Sequence, residues 1–222
     1  MFRWCAHLLD LLWPKTCLAC SRPLPGGDDD TLICLRCLDS IRLEPAVLES
    51  APDGCDRLYS ACRYHGAVKA LIRRFKYDGR DYLAAFLGRL LEEAIRALCV
   101  PMDKIDAIVP VPLHPARLRE REYNQAQLLA AHIGHVFHRP VDGSLLVRSR
   151  PTGTQTGLAL EQRRRNVQGC FTVPCTAQCP GKMILLVDDV LTTGATAGEA
   201  ARALKRAGAV KVYVLTVAHS HL

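Results

Sequence analysis

The strongest constraint on the fold is residues 182–196, KMILLVDDVLTTGAT, where an apolar run ends in two adjacent carboxylates. The apolar run predicts a buried β-strand. Successive side chains of a strand point to opposite faces, so Asp188 and Asp189 cannot both be core residues, and we expect them to emerge at the end of the strand. The TTGAT sequence that follows predicts a turn into a helix.

Alternating strand and helix patterns surround this unit and predict an α/β fold. Strand patterns cover residues 106–112, 182–190 and 210–218, and helical patterns cover residues 83–98, 124–137 and 196–208. Such alternation implies right-handed crossovers and a largely parallel sheet flanked by helices. Ligands of these sheets bind beyond the carboxyl ends of the strands, where the acidic pair lies.

The turn after the acidic pair has the features of an anion site. Backbone N–H groups at the start of a helix lack internal partners, and Gly194 allows a ligand to approach the chain closely. Because two carboxylates repel a phosphate, the pattern favours a ligand with both a phosphate and a vicinal diol, the diol or Mg²⁺ contacting the aspartates. The alternative is a capped helix after a solvated pair of aspartates.

Four cysteines near the N-terminus form a separate pattern. Cys17, Cys20, Cys34 and Cys37 have the spacing C-x2-C-x13-C-x2-C, which predicts a structural zinc site. The connecting residues are rich in Pro, Gly and Asp, so we expect the metal to supply the folding free energy. Four reduced thiols or a redox pair are the alternatives. We predict a module at residues 1–50 and a main domain at residues 51–222, with residues 51–80 as a candidate hood over the site.

Composition excludes several classes of protein. The 222 residues are 49% hydrophobic and 23% charged, which is typical of a globular chain, and the formal charge of +7 suits an anionic partner. No apolar run reaches the roughly 20 residues of a membrane span. Asp10 interrupts the first apolar run, so we predict a short helix there instead of a signal peptide, and a reducing cytoplasm as the compartment.

The segment VDDVLTTGAT resembles the signature of the type I phosphoribosyltransferases. The resemblance extends to the ComF family, competence-associated proteins that join a four-cysteine module to such a domain. Residues 73–80 (RRFKYDGR), 109–130 and 150–171 resemble the characteristic blocks of that family in their usual order, so nearly the whole chain is covered. The resemblance implies a type I phosphoribosyltransferase-like parallel sheet flanked by helices, with a small zinc-binding module.

The resemblance also implies a ligand, phosphoribosyl pyrophosphate or a related sugar phosphate with Mg²⁺. Asp188 and Asp189 would meet the ribose hydroxyls. The residues implied for the 5-phosphate are Thr192, Thr193, Gly194, Ala195 and Thr196, and those implied near the pyrophosphate are Leu113, His114, Arg117 and Arg119. Arginine suits phosphate because it offers bidentate donors. The arginines can equally belong to a solvated helix start, and His114 can cap a loop.

Two basic clusters are candidates for contact with single-stranded DNA. They comprise Arg73, Arg74 and Lys76, and Arg163, Arg164 and Arg165. Cations interleaved with aromatic residues suit a single strand, although a solvated face is the alternative. The family resemblance implies a role in DNA uptake during natural transformation, with competence-machinery proteins as partners at the inner membrane. An active transferase, which moves the phosphoribosyl group to a base or to ammonia, is the alternative function.

Overall fold

The computed structural model describes residues 15–24, 32–49, 51–150, 167–175 and 179–220. Its helices are α1 (Leu35–Ser40), α2 (Gly66–Tyr77), α3 (Leu83–Ala97), α4 (Pro115–Arg121), α5 (Gln125–Phe137) and α6 (Ala195–Arg206), with a 3₁₀ turn at Met102–Lys104. The strands are β1 (Ala46–Val47), β2 (Arg57–Arg63), β3 (Ala107–Pro110), β4 (Val147–Arg148), β5 (Phe171–Thr172), β6 (Met183–Leu191) and β7 (Lys211–His219).

Five strands form the main sheet in the order β1-β2-β7-β6-β3. Strands β2, β7, β6 and β3 run parallel, and only the short β1 pairs antiparallel, with β2. The predicted α/β architecture is therefore confirmed. Since parallel strands end at one edge, the carboxyl ends of β2, β7, β6 and β3 lie along the same edge of the sheet and can build a common site. Strands β4 and β5 form a separate hairpin-like pair.

Strand β6 ends within one residue of its predicted end, since it runs through Asp188 and Asp189 to Leu191, with Asp188 opposite Thr216 of β7. The prediction and the structure differ in the burial of the acidic pair. Asp189 is buried, with 5% of its surface exposed. The expectation that both carboxylates emerge at the end of the strand is wrong for Asp189, because Lys76 of α2 supplies a cation inside the protein.

The region between the two predicted domains is part of the sheet. Strand β2 lies between β1 and β7, so residues 57–63 of the candidate hood belong to the main sheet, while α2 follows them directly. Strand β1 lies in the range predicted for the N-terminal module, yet it pairs with β2. Cys17, Leu18 and Ile33 of the module share one apolar cluster with the buried face of α2. The module and the sheet therefore share a core.

Candidate functional site

A cavity of about 760 Å³ opens at the carboxyl edge of the sheet. Its lining comes from the ends of three parallel strands and from the helices that follow them. The β2–α2 region contributes Tyr64, Lys69, Arg73, Lys76 and Tyr77. The segment after β3 contributes Leu113, Arg117 and Arg121, and β4 contributes Arg148. Strand β6 and its turn contribute Asp188, Asp189, Thr192 and Thr196.

A buried ion pair forms part of the cavity lining. Lys76 Nζ is 2.7 Å from Asp189 Oδ1, and their side chains are 19% and 7% exposed. Burial alone would lower the pKa of Lys76, but the Asp189 carboxylate outweighs it and raises that pKa. Lys76, predicted as a nucleic-acid contact, is therefore a cation inside the protein and compensates the buried Asp189 carboxylate. Asp188 is the second carboxylate of the lining, and it forms no direct salt bridge among the described residues.

Asp188 occupies an environment that disfavours its charge. Burial and the Asp189 carboxylate raise its pKa to about 7, against the opposing effect of Lys76 and Arg148. One carboxylate oxygen of Asp188 accepts the N–H of Asp189 at 2.8 Å, which fixes the side chain. A cation or hydroxyl donor that arrives in the cavity would therefore lower this pKa and be stabilised in return.

Arg148 supplies a buried cation that the sequence did not single out. It is 6% exposed, lines the cavity, and its guanidinium lies 5.3 Å from the centre of the Phe171 ring. Burial lowers its pKa, and nearby Arg117 acts in the same direction. A buried cation close to a second one is a favourable place for an anion with several oxygens.

The turn after β6 contributes two hydroxyl residues to the lining, Thr192 and Thr196. Thr193 Oγ1 accepts the N–H of Ala195 at 3.4 Å. Gly194 has φ of +70°, and a Cβ on it would lie 2.4 Å from Pro52 Cγ. A larger residue at this position would strain the backbone and clash with Pro52. These two constraints account for Gly194, so the close approach of a ligand that the sequence led us to expect is not needed to explain it.

The loop after β3 contributes two of its four candidate residues to the cavity lining. Leu113 and Arg117 line the cavity, whereas Arg119 is exposed on α4 and lies outside the described lining. His114 caps α4, since its Nδ1 accepts the N–H of Ala116 at 3.2 Å. His114 thus fixes the start of α4, which carries Arg117 to the cavity.

Three consecutive residues at the start of α5, Tyr123, Asn124 and Gln125, hold the cavity wall in place. The Tyr123 hydroxyl and the Gln125 amide donate to the carbonyl oxygen of Phe75, at 2.6 and 3.2 Å. Asn124 caps α5 through the N–H of Ala126 and donates to the carbonyl of Val111 at 3.1 Å. These bonds tie the end of α2, which carries Lys76, to the end of β3.

The cavity lining has more positively than negatively charged side chains. Six cations and two carboxylates give an excess of four positive charges around the cavity. A second cavity, of about 350 Å³, shares Arg73 and Tyr77 with the first and adds Arg74 and Ala19. The predicted cluster Arg163, Arg164 and Arg165 lies outside the described residues. The described cations favour a ligand with several negative charges.

The four thiols of the N-terminal module lie together. The Sγ atoms of Cys17, Cys20, Cys34 and Cys37 are all within 4.8 Å of one another, and those of Cys20 and Cys34 are 3.8 Å apart. Sulfurs about 2.3 Å from a tetrahedral zinc ion lie about 3.8 Å apart, so the cluster has the size of a zinc site. Backbone donors hold the pKa of Cys17 at about 6 against the effect of burial, whereas burial and the neighbouring cysteines raise the pKa of Cys37 to about 12. A metal at this site would therefore displace protons from the cluster.

Sequence reasoning missed the roles of Arg148 and of the Lys76–Asp189 pair. The signal for Arg148 was an arginine directly after the apolar residues Leu145, Leu146 and Val147. No local pattern pairs Lys76 with Asp189, because 112 intervening residues separate them in the sequence.

Among the described helices, none combines the length and the hydrophobicity that crossing a bilayer requires.

Comparisons with known proteins give consistent relatives. Competence protein F of Haemophilus influenzae is 33% identical over 168 residues, which cover 74% of this chain and 73% of that protein. DNA utilization protein YhgH of Escherichia coli (strain K12) is 32% identical over 220 residues, covering 90% of this chain and 95% of that protein. Competence protein ComFC of Bacillus subtilis is 31% identical over 150 residues, covering 67% and 58%. No family model matches the chain.

Two solved structures overlap with parts of the chain. Glutamine phosphoribosylpyrophosphate amidotransferase from B. subtilis, complexed with ADP and GMP, has a TM-score of 0.38 at 20% identity, covering 63% of this chain and 26% of that chain. UMP synthase of Leishmania donovani has a TM-score of 0.37 at 17% identity, covering 81% and 29%. The curated relatives are about one third identical over most of the chain. On that similarity, the chain belongs to the ComF family of competence-associated proteins.

Proposed function

We propose that the cavity binds phosphoribosyl pyrophosphate, or a related sugar phosphate, with Mg²⁺. The observation that carries the proposal is the excess of four positive charges around an acidic pair. A simple polyanion site would not need carboxylates at its centre, and a simple diol site would not need six cations. A sugar that carries phosphates at both ends uses both features.

Each part of the ligand has matching residues in the cavity. The 5-phosphate would meet the turn of residues 192–196, where the first N–H groups of α6 lack intrahelical partners. Asp188 would accept hydrogen bonds from the ribose hydroxyls, while Lys76 keeps Asp189 in place. The pyrophosphate would lie beside Arg117 and Arg148, which line the same cavity.

The donors of the cavity fit Mg²⁺ bound through the ligand. Magnesium prefers oxygen donors and is usually held by one or two carboxylates together with substrate phosphates. Asp188 is the carboxylate whose position suits this role, since Asp189 is paired with Lys76. When bound, the ion would neutralise the pyrophosphate.

Calorimetric titration with phosphoribosyl pyrophosphate tests the proposal. We expect binding to require Mg²⁺ and to weaken at least tenfold in Asp188→Asn, while Asp103→Asn, an exposed change outside the cavity lining, leaves the affinity unchanged. Equal affinity in Asp188→Asn and the wild-type chain would reject the site.

We further propose that the chain acts on single-stranded DNA during uptake. The relatives whose names refer to competence and DNA utilization support this role. Tyr77 and Asp78 line the second cavity together with Arg73 and Arg74. Because Arg74 pairs with Asp78, Arg73 beside the Tyr77 ring is the cation that suits a single strand. Four closely spaced thiols need a reducing compartment to hold zinc, so we place the protein in the cytoplasm, reaching the inner membrane through competence-machinery partners.

The salt dependence of DNA binding tests this second part. Arg73→Gln should lower the slope of log affinity against log salt by about 0.7 for a single strand, because one phosphate contact is lost. Arg89→Gln, an equal change of charge at an exposed position outside both cavities, is the control. An unchanged slope in Arg73→Gln would favour a solvated face.

Phosphoribosyl transfer is the second candidate function. The cavity continues past the acidic pair to Tyr64 and Lys69, which leaves room for an acceptor. Release of pyrophosphate from phosphoribosyl pyrophosphate, measured with nucleobases and with ammonia, separates a transferase from a binding protein. Bound ligand that stays intact with every acceptor would exclude transfer to those acceptors.

A further inference from the structure

We propose that Tyr64, Lys69 and Arg73 form a second subsite that takes an aromatic anion, a planar ring that carries or adjoins a negative charge. The proposal rests on the proposed function, because it assigns the end of the cavity that a phosphoribosyl ligand leaves open. We name these three residues the β2 subsite. They lie after strand β2 and on the cavity face of α2.

Sheet topology separates the β2 subsite from the phosphoribosyl site. Strand β7 lies between β2 and β6, whereas β3 is adjacent to β6 on the other side. Strands are spaced about 4.8 Å apart, so the end of β2 lies about 10 Å from the acidic pair along the edge. A ligand on the β6 turn and the loop after β3 occupies the opposite end of the cavity. The β2 end is therefore available to a second group.

The charges of the β2 subsite lack acidic partners among the described residues. Lys69 Nζ lies 5.9 Å from the centre of the Tyr64 ring, and the Arg73 side chain has neither an ion pair nor a hydrogen bond within the described ranges. Neighbouring cations of α2 differ, since Arg74 contacts Asp78 and Lys76 contacts Asp189. Lys69 and Arg73 are four residues apart, so they lie on one face of the helix.

A ring beside two cations defines the chemistry of the occupant. Tyr64 offers an aromatic surface for stacking, and Lys69 and Arg73 offer donors to a carboxylate or phosphate. A carboxylated pyrimidine base has this chemistry, and so does one base with its phosphate in a single strand. Ammonia has neither a ring nor a negative charge, so the β2 subsite gives it no binding energy.

Titration of the full chain with three small probes tests the subsite. Orotate has a ring and a carboxylate, uracil has the ring alone, and acetate has the charge alone. The titrations are run with and without ribose 5-phosphate, which fills the first site but has no leaving group to transfer. We expect orotate to bind at least tenfold more tightly than either fragment, with or without ribose 5-phosphate. A short oligothymidylate in parallel titrations distinguishes a free base from a strand as the source of the anion.

Variants separate this proposal from the first one. Arg73→Gln should weaken orotate binding about tenfold, as expected for one charge-assisted hydrogen bond, while Arg89→Gln should not. Ribose 5-phosphate affinity should stay within twofold in Arg73→Gln. Displacement of orotate by ribose 5-phosphate, or equal losses in both arginine variants, would overturn the β2 subsite. If ribose 5-phosphate did not bind the wild-type chain, only the phosphoribosyl site would be rejected. The orotate titrations without ribose 5-phosphate would still test the β2 subsite, through the Arg73→Gln variant.

Discussion

The four-cysteine module and the cavity at the sheet edge are built in opposite ways. The thiols of the module come from one short turn and from the start of α1, each holding a pair three residues apart, and the four Sγ atoms meet within 4.8 Å. The cavity collects residues from position 64 to position 196, from four strands and the segments after them. Local spacing therefore reveals a thiol cluster of the size of a zinc site, whereas a cavity of this kind depends on the sheet order.

Helix α2 joins the two regions. Arg74 Nη2 donates to Ser21 Oγ in the module at 2.9 Å, and Lys76, two residues later, forms the ion pair with Asp189 in the cavity. Cys17 and Leu18 also share the apolar cluster with the buried face of α2. Changes in the module should therefore reach the cavity through the position of Lys76.

The largest effect is expected from loss of the metal site. Cys34→Ser removes one of four thiolates, so we expect purified protein to lose zinc and the module to unfold, because metal binding supplies much of the folding free energy of such modules. Affinity for phosphoribosyl pyrophosphate should fall as well, since α2 loses its support. Metal analysis and calorimetry measure the two effects.

Cys175→Ser is the matched control, since Cys175 is exposed and lies outside the thiol cluster. It should keep both zinc and affinity. If Cys34→Ser lost zinc but kept full affinity for the ligand, the two regions would be independent, and the coupling through α2 would be wrong.

The next largest effect should come from Lys76→Met. The change leaves the buried Asp189 carboxylate without its cation, which typically costs about 3–5 kcal/mol of unfolding free energy. Zinc content should not change, in contrast to Cys34→Ser. Urea denaturation measures the loss. The double variant Lys76→Met with Asp189→Asn removes the unpaired charge and should recover most of the stability, and a double variant as unstable as the single one would contradict the ion-pair explanation.

Asp188→Asn should change the pH dependence of stability. The pKa of Asp188 is raised to about 7, above its ordinary value near 4, so folding takes up a proton between these values. The cost of ionising the buried Asp188 therefore lowers the unfolding free energy above pH 7, and this cost disappears as the pH falls toward 4. Asp188→Asn should therefore be more stable than the wild-type chain by about 2 kcal/mol at pH 8. The gain should shrink by pH 5 in ligand-free urea titrations, and a gain independent of pH would exclude this origin.

The elements with a periodic apolar face were predictable from the sequence, whereas the contacts between residues far apart in the sequence were not. The patterns of residues 83–98, 124–137 and 182–190 correspond closely to α3, α5 and β6, since each buries a periodic apolar face. Strand β2 was not predicted, because its seven residues, RLYSACR, include two arginines and a serine. The buried cation Arg148 and the pairing of Lys76 depend on which segments the sheet order brings together. Side-chain partners over such distances carry no periodic signal.

The smallest effect is expected at Glu122, in the loop that holds the cavity wall. Glu122 has φ of +67° between α4 and α5, a left-handed conformation that costs a side-chain-bearing residue about 1 kcal/mol. Glu122→Gly should therefore raise the unfolding free energy by up to about 1 kcal/mol, without changing zinc content. Glu120→Gly, within α4, should instead lower it by about 1 kcal/mol, because glycine is unfavourable inside a helix. Opposite signs in urea denaturation would support backbone strain at Glu122, whereas effects of the same sign in the two variants would show that this backbone is not strained.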